Sequence, residues 1–225
     1  MIKAENLFFS YTGNAPYVLE NINFEIKNGE YVSVVGENGS GKSTLMKLIL
    51  RFLKPTRGDI STQSKRIGYV PQKSENVNLG FPITVYEMLD SYRKLLKIKD
   101  KSVVEESLKI AGLSGLSSLL VGNLSGGQYQ KALIARSLIG WPDLLILDEP
   151  STGVDAESQK DIYSLIKRLN TERGITVVSV EHNLDAAISN STLIYHLANS
   201  RGHICTPEQY TEEYLNPERK HSRHA

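Results

Sequence analysis

The chain reads as an α/β protein built around a mainly parallel sheet, and three observations predict this. Short apolar runs at residues 31–35, 144–147 and 175–180 have the near-continuous hydrophobicity of strands covered on both faces. Between them, residues 43–53 and 162–169 carry apolar side chains at helical spacing. Strands that alternate with helices favour parallel pairing, because a parallel neighbour needs a crossover connection.

Taken in order, residues 1–35 read as β. Ile22, Phe24 and Ile26 alternate with Asn23, Glu25 and Lys27, the period of a half-buried strand. This predicts an N-terminal antiparallel β subdomain. Asn28-Gly29 signals a turn, and the strand after it runs into glycines. In the helix expected over 43–53, Leu45, Leu48, Ile49 and Phe52 share a face, and Pro55 stops it. Ile67 to Val70 is a further strand, closed by Pro71. Residues 84–121 are helical with breaks at Gly112 and Gly115, and a helix follows over 126–139. This block predicts an inserted helical subdomain at about 73–140. The core is expected at about 1–72 and 141–205, with a tail at 206–225, all in one domain. Late strands are expected at 192–197 and 203–205, and residues 218–225 read as a polar, frayed end.

Composition narrows the function classes. In 225 residues, 26 Lys and Arg face 25 Asp and Glu, so nothing global points to nucleic acid. Cys205 is the single cysteine, which excludes an intramolecular disulfide. Glu5 and Asn6 interrupt any signal-peptide core. No apolar run exceeds four residues, as at 144–147, far short of the roughly 18 that suggest a membrane span. A cytoplasmic protein is expected, with any membrane role supplied by a partner.

Two motifs carry chemistry. Gly36-Glu37-Asn38-Gly39-Ser40-Gly41-Lys42-Ser43 fits GxxxxGK[ST] between a strand and a helix. Its glycines let backbone N–H groups turn towards phosphate oxygens, and a helix N-terminus adds partial positive charge. Lys42 is expected on the β- and γ-phosphates and Ser43 on Mg²⁺. The fold is thus a P-loop NTPase-type core. The second motif is an apolar strand ending in Asp148-Glu149. Asp148 is placed to hold Mg²⁺, and Glu149 to act as general base on the attacking water.

Leu124-Ser125-Gly126-Gly127-Gln128 resembles the signature of ATP-binding cassette (ABC) ATPases, and further motifs of that family stand in the same order. The resemblance spans residues 1–205. It implies that Tyr11 stacks on adenine, with Phe9 and Tyr17 as competing rings. It implies ATP contacts from Gly36 to Ser43 and Thr44. It identifies Gln72 as the Q-loop residue, contacting Mg²⁺ or the attacking water, and His182 as the switch histidine. Asp155, in Ser151-Thr152-Gly153-Val154-Asp155, is implied in dimer communication. Ser125, Gly126, Gly127 and Gln128 are implied to bind the ATP of a second copy, so the resemblance implies a homodimer closing on two ATP molecules. Glu181 and Val154 depart from the usual residues.

The interval from Gln72 to Ser125 leaves room for a compact helical subdomain but not for a long coiled-coil insertion. The chain resembles the separate ATPase subunit of a transporter, and within that class the subunits of zinc, manganese and iron uptake systems. That implies integral-membrane permease subunits, an extracytoplasmic substrate-binding protein, a place at the inner face of the membrane, and no nucleic acid. An exporter subunit and a nucleotide-gated clamp protein are the alternatives. His203, Cys205, His221 and His224 match no strong zinc spacing. Residues 92–101 interleave lysines with Leu95, Leu96 and Ile98, a pattern of either a solvated face or an amphipathic contact.

Overall fold

A computed structural model describes residues 1–72 and 81–215. In chain order its strands and helices are β1 (Ile2–Phe9), β2 (Leu19–Ile26), β3 (Tyr31–Val35), α1 (Lys42–Ile49), β4 (Arg57–Thr62), β5 (Ile67–Val70), α2 (Val85–Leu95), α3 (Ser102–Ile110), α4 (Gly126–Ser137), β6 (Leu144–Asp148), α5 (Ala156–Arg173), β7 (Thr176–Val180), α6 (Leu184–Asn190), β8 (Leu193–Ala198), β9 (Arg201–Cys205) and α7 (Pro207–Tyr210). Two compact units result. One joins Met1–Ser64 to the chain from Thr176 onward, and the other is Lys65–Ile175. None of the described helices is long and apolar enough to cross a membrane.

In the first unit, β1 is the centre of a three-stranded antiparallel sheet ordered β2-β1-β4. Ile22, Phe24 and Ile26 are buried, as their alternation predicts. β3 pairs in parallel with both β7 and β8, and β8 pairs antiparallel with β9. All five residues of β3 and of β7 are buried, which accounts for their mainly apolar character. Behind β3 and β8, Val35, Ile194, Ala187 of α6 and Tyr210 of α7 form one apolar cluster.

The second unit holds the parallel pair β5 and β6 with helices α2 to α5. Thr84 and Glu87 form a capping box at α2, satisfying two otherwise orphaned N–H groups. Asp155 caps α5, which ends at Gly174 in the left-handed conformation.

The expected fold class is borne out: mainly parallel pairing, an antiparallel sheet fed by the N-terminal strands, and a helical block. One element is shorter than its periodicity predicts. α1 stops at Ile49 because Arg51 turns left-handed (φ 60°), which leaves Phe52 67% exposed instead of on the buried face. Strand β4 and helices α6 and α7 have no counterpart among the expected elements. The polar end at 218–225 lies outside the described residues.

Candidate functional site

The loop at 36–41 joins the buried end of β3 to α1. Gly36 has φ +154°, and a Cβ there would lie 2.1 Å from the Leu197 carbonyl oxygen and 2.9 Å from Ser40 Oγ. The loop therefore packs directly on the backbone of β8, with no room for a side chain. Gly41, also left-handed, is the N-cap of α1 and brings no side-chain acceptor to the first helical N–H groups. Lys42 is buried, and its Nζ donates to the carbonyls of Gly36 (2.7 Å) and Glu37 (2.9 Å), which suspends the ammonium over the loop. Ser40 Oγ is buried with no hydrogen-bond partner among the described residues. Glu37, Asn38, Gly39 and Ser43 are exposed. An uncapped helix start, a buried ammonium and a buried hydroxyl together make a donor set for a polyphosphate.

Tyr11 stands beside this loop. Its hydroxyl shares a 3.1 Å hydrogen bond with Thr44 Oγ1, and its ring is 62% exposed and supported edge-on by Phe9 at 4.9 Å. Phe9 is buried, and Tyr17 packs edge-on to Phe8 with the Arg57 guanidinium 6.0 Å from its ring centre. Of the three rings named from the sequence, Tyr11 is the most exposed. His182 follows β7 directly. Glu181 donates its N–H to the Val34 carbonyl at 3.0 Å, which fixes the end of β7 beside the strand that feeds the loop. His182 is exposed there, and Asn183 caps α6 immediately after it. Glu181 is itself buried and bonded to the Ser179 hydroxyl.

In the second unit, β6 delivers two carboxylates to its C-terminal end. Asp148 is buried as the last residue of the strand. Glu149 has φ 54°, a left-handed position uncommon for a side chain of this size. Two bonds converge on its Oε2: Gln72 Nε2 donates at 2.6 Å and Thr152 Oγ1 at 3.1 Å. The structure thus brings Gln72 and Glu149 together across a long sequence separation. Thr152 was not singled out from the sequence; a hydroxyl three residues beyond an acid at a strand end is the signal that could have found it.

Ser125 caps α4. Its Oγ accepts from the Gln128 N–H (3.2 Å), and Gln128 Oε1 accepts from the Ser125 N–H (3.0 Å). The Gln128 side chain is therefore turned onto its own helix cap, while the Ser125 hydroxyl proton is still available to an acceptor. Gly127 meets the start of α5, since a Cβ on it would lie 2.5 Å from Ser158 Cβ. Asp155 accepts from the Ser158 N–H at 2.9 Å. Hydrogen bonding from Ser158, first from its backbone, holds the Asp155 carboxyl below the usual carboxylate range.

The remaining candidates do not assemble into a metal centre. His203 and Cys205 lie on β9, and Cys205 is buried. His203 faces His196 of β8, and Tyr214 packs on both rings. Burial, and then His203, holds the His196 imidazole below its ordinary pKa. Among the described residues no group of three or more His, Cys, Asp or Glu is arranged for a metal ion. His221 and His224 lie outside the described residues.

Comparison with known proteins places this geometry in context. A family model described as ABC transporter matches residues 19–152. A metal transport system ATP-binding protein of Treponema pallidum is 56% identical over 216 residues, covering 96% of this chain and 90% of that protein. The high-affinity zinc uptake system ATP-binding protein ZnuC of Bacillus subtilis is 41% identical over 196 residues, covering 81% and 84%. Among solved structures, a metal-chelate type ABC transporter in an inward-facing conformation superposes with a TM-score of 0.85 at 29% identity, covering 95% of this chain and 86% of that one. A dimeric ATP-binding cassette in a post-hydrolysis state with ADP and Pi gives 0.74 at 28% identity, covering 92% and 99%.

Proposed function

The chain belongs to the ABC transporter family, and from that premise we propose that it is the ATP-binding and ATP-hydrolysing subunit of a membrane importer. Its cargo is a metal ion such as zinc or manganese, carried by a separate integral-membrane permease. The observation that carries the reading is kinship over 96% of the chain with a protein named for metal transport. Relatives named for zinc uptake favour import over export.

The roles follow from the residues. The amides of Gly36 to Ser43 and Thr44 receive the phosphates, and Tyr11 stacks on the base, which is worth roughly 1–3 kcal/mol for an aromatic platform. Lys42 exchanges its two loop carbonyls for phosphate oxygens. Glu149 accepts the proton of the attacking water; Gln72 and Thr152 fix its carboxylate plane through Oε2. His182 donates to the γ-phosphate. Ser43, Gln72 and Asp148 offer the hard oxygen donors that suit Mg²⁺. When bound, that ion neutralises charge on the β- and γ-phosphates. In a second copy, Ser125 and the amides of Gly126 and Gly127 face the γ-phosphate of the first, while Gln128 holds the cap in shape. Asp155 couples the two copies. Catalysis is then positioning and charge stabilisation. A substrate-binding protein outside the membrane delivers the ion to the permease, and the ATPase sits at the inner face.

The test is total zinc, manganese and iron in cells carrying wild type or Glu149→Gln under metal limitation. A selective fall of one metal is the expected result and names the cargo. Unchanged content of all three would remove the metal assignment.

A further inference from the structure

The chain as a whole is almost electrically neutral, but one corner of the second unit is not. The turn between α2 and α3 carries Lys97, Lys99 and Lys101, all exposed. Lys65 and Arg66, also exposed, rim a groove of about 530 Å³ beside the same turn. The exposed cations outnumber the carboxylates there, of which Asp90 is paired with cations. Asp90 binds Arg93 and Lys94, Asp100 accepts from the Ser102 N–H, and Asp143 accepts from the N–H groups of Lys65 and Arg66.

Apolar surface is set among these charges. Leu95 is 73% exposed and Leu96 44%, and Leu96 continues into the groove, which Tyr92, Ile98 and Trp141 also line. The turn is held rigidly, because buried Arg93 donates to the carbonyls of Ile98 and Lys99. A fixed leucine crest flanked by lysines, over a groove with tyrosine and tryptophan walls, matches the two layers of a bilayer interface. Lysines read headgroup phosphates while leucine and amphipathic rings enter the headgroup zone.

We propose that this corner docks on an anionic phospholipid surface, giving the subunit a membrane contact of its own. The proposal goes beyond the transport reading and does not depend on the cargo. An acidic protein surface would match the lysines as well, but it would give an isolated, protruding Leu95 no apolar destination.

The experiment is co-sedimentation of the full chain with vesicles of phosphatidylcholine alone or with about a third phosphatidylglycerol. Trp141, the only tryptophan in the sequence, supplies a second readout from the groove itself. Wild type is expected to bind the anionic vesicles at least fivefold better than the neutral ones, to release in high salt, and to shift its Trp141 emission to the blue. Lys97→Glu with Lys99→Glu is expected to remove most of this binding, and Leu95→Asp to weaken it at least threefold, both with unchanged circular dichroism. Equal binding to both vesicle types, or none to either, overturns the proposal. So does binding without a Trp141 shift. Sensitivity to the charge reversals but not to Leu95→Asp would mark a site for an acidic macromolecule and would equally overturn it.

Discussion

Asp90 has two cationic partners at nearly equal distance, Arg93 Nε at 2.6 Å and Lys94 Nζ at 2.8 Å, yet their removal is expected to differ sharply. The Lys94 side chain is 68% exposed, so its pair is an exposed i,i+4 contact worth about 0.3–0.5 kcal/mol. Arg93 is buried and also serves the carbonyls of Ile98 and Lys99. Breaking a buried pair costs about 3–5 kcal/mol when it strands a charge. Here Asp90 keeps Lys94, so about 2–3 kcal/mol is expected for Arg93→Met, which preserves the aliphatic stem. At roughly 2–4 °C per kcal/mol for a chain of this size, Tm falls by about 4–12 °C, against about 0.6–2 °C for Lys94→Met. Differential scanning calorimetry measures both. The effect also has a pH signature. Hydrogen bonds from Lys94 and Arg93 hold the Asp90 carboxyl below its usual range. Its stabilisation is therefore complete above the unfolded value of about 3.9 and is lost as pH falls through the folded one. The gap between wild type and Arg93→Met should narrow below about pH 4. Equal shifts for the two variants, or an Arg93→Met shift under 1 °C, would refute the burial argument.

Three further outcomes are expected. Gly36→Ala places a Cβ 2.1 Å from the Leu197 carbonyl, so loop or strand must move by about 1 Å; ATP affinity by titration calorimetry should fall at least tenfold, and an unchanged affinity would contradict the cradle. Glu149→Gln keeps an oxygen for the Gln72 and Thr152 donors but loses basicity, so ATP turnover should drop about 10²–10⁴-fold while binding persists; a loss below tenfold would dismiss Glu149 as the base. Burial, and then Glu213, pushes the Cys205 thiol up, so a disulfide reagent at pH 8 should modify the native chain at least tenfold more slowly than the urea-unfolded one, and equal rates would place Cys205 at the surface.

The sequence announced the strands that are buried on both faces and the loops that follow them, because burial and glycine both leave a mark in residue type. It did not announce β4. Arg57–Thr62 is an edge strand whose residues are mostly exposed, so it has no alternation to read. Phe52 misled for the opposite reason: it continues the helical period of α1, but the helix ends at Arg51 before that period can be used. Among the candidate residues, the motif order pointed to the Gln72–Glu149 pair only as neighbours in a scheme; their 2.6 Å bond is a tertiary fact. The cap bond of Gln128 was hidden because a cap glutamine and a ligand-facing glutamine are the same letter. The clasp made by Arg93 left no trace, since a buried arginine and a solvated one read alike in a lysine-rich stretch.

The contact between Gly127 and Ser158 has a mechanical meaning. Where even a methyl group has no clearance, the start of α4 and the start of α5 mesh without backlash. A shift of the α5 start that carries Asp155 would therefore press on the α4 start that carries Ser125. Adding slack with Ser158→Gly would leave each part intact while letting one turn before the other follows, much as a worn gear does. In the dimer proposed above, that lost motion would be measured as weaker coupling between the two ATP sites.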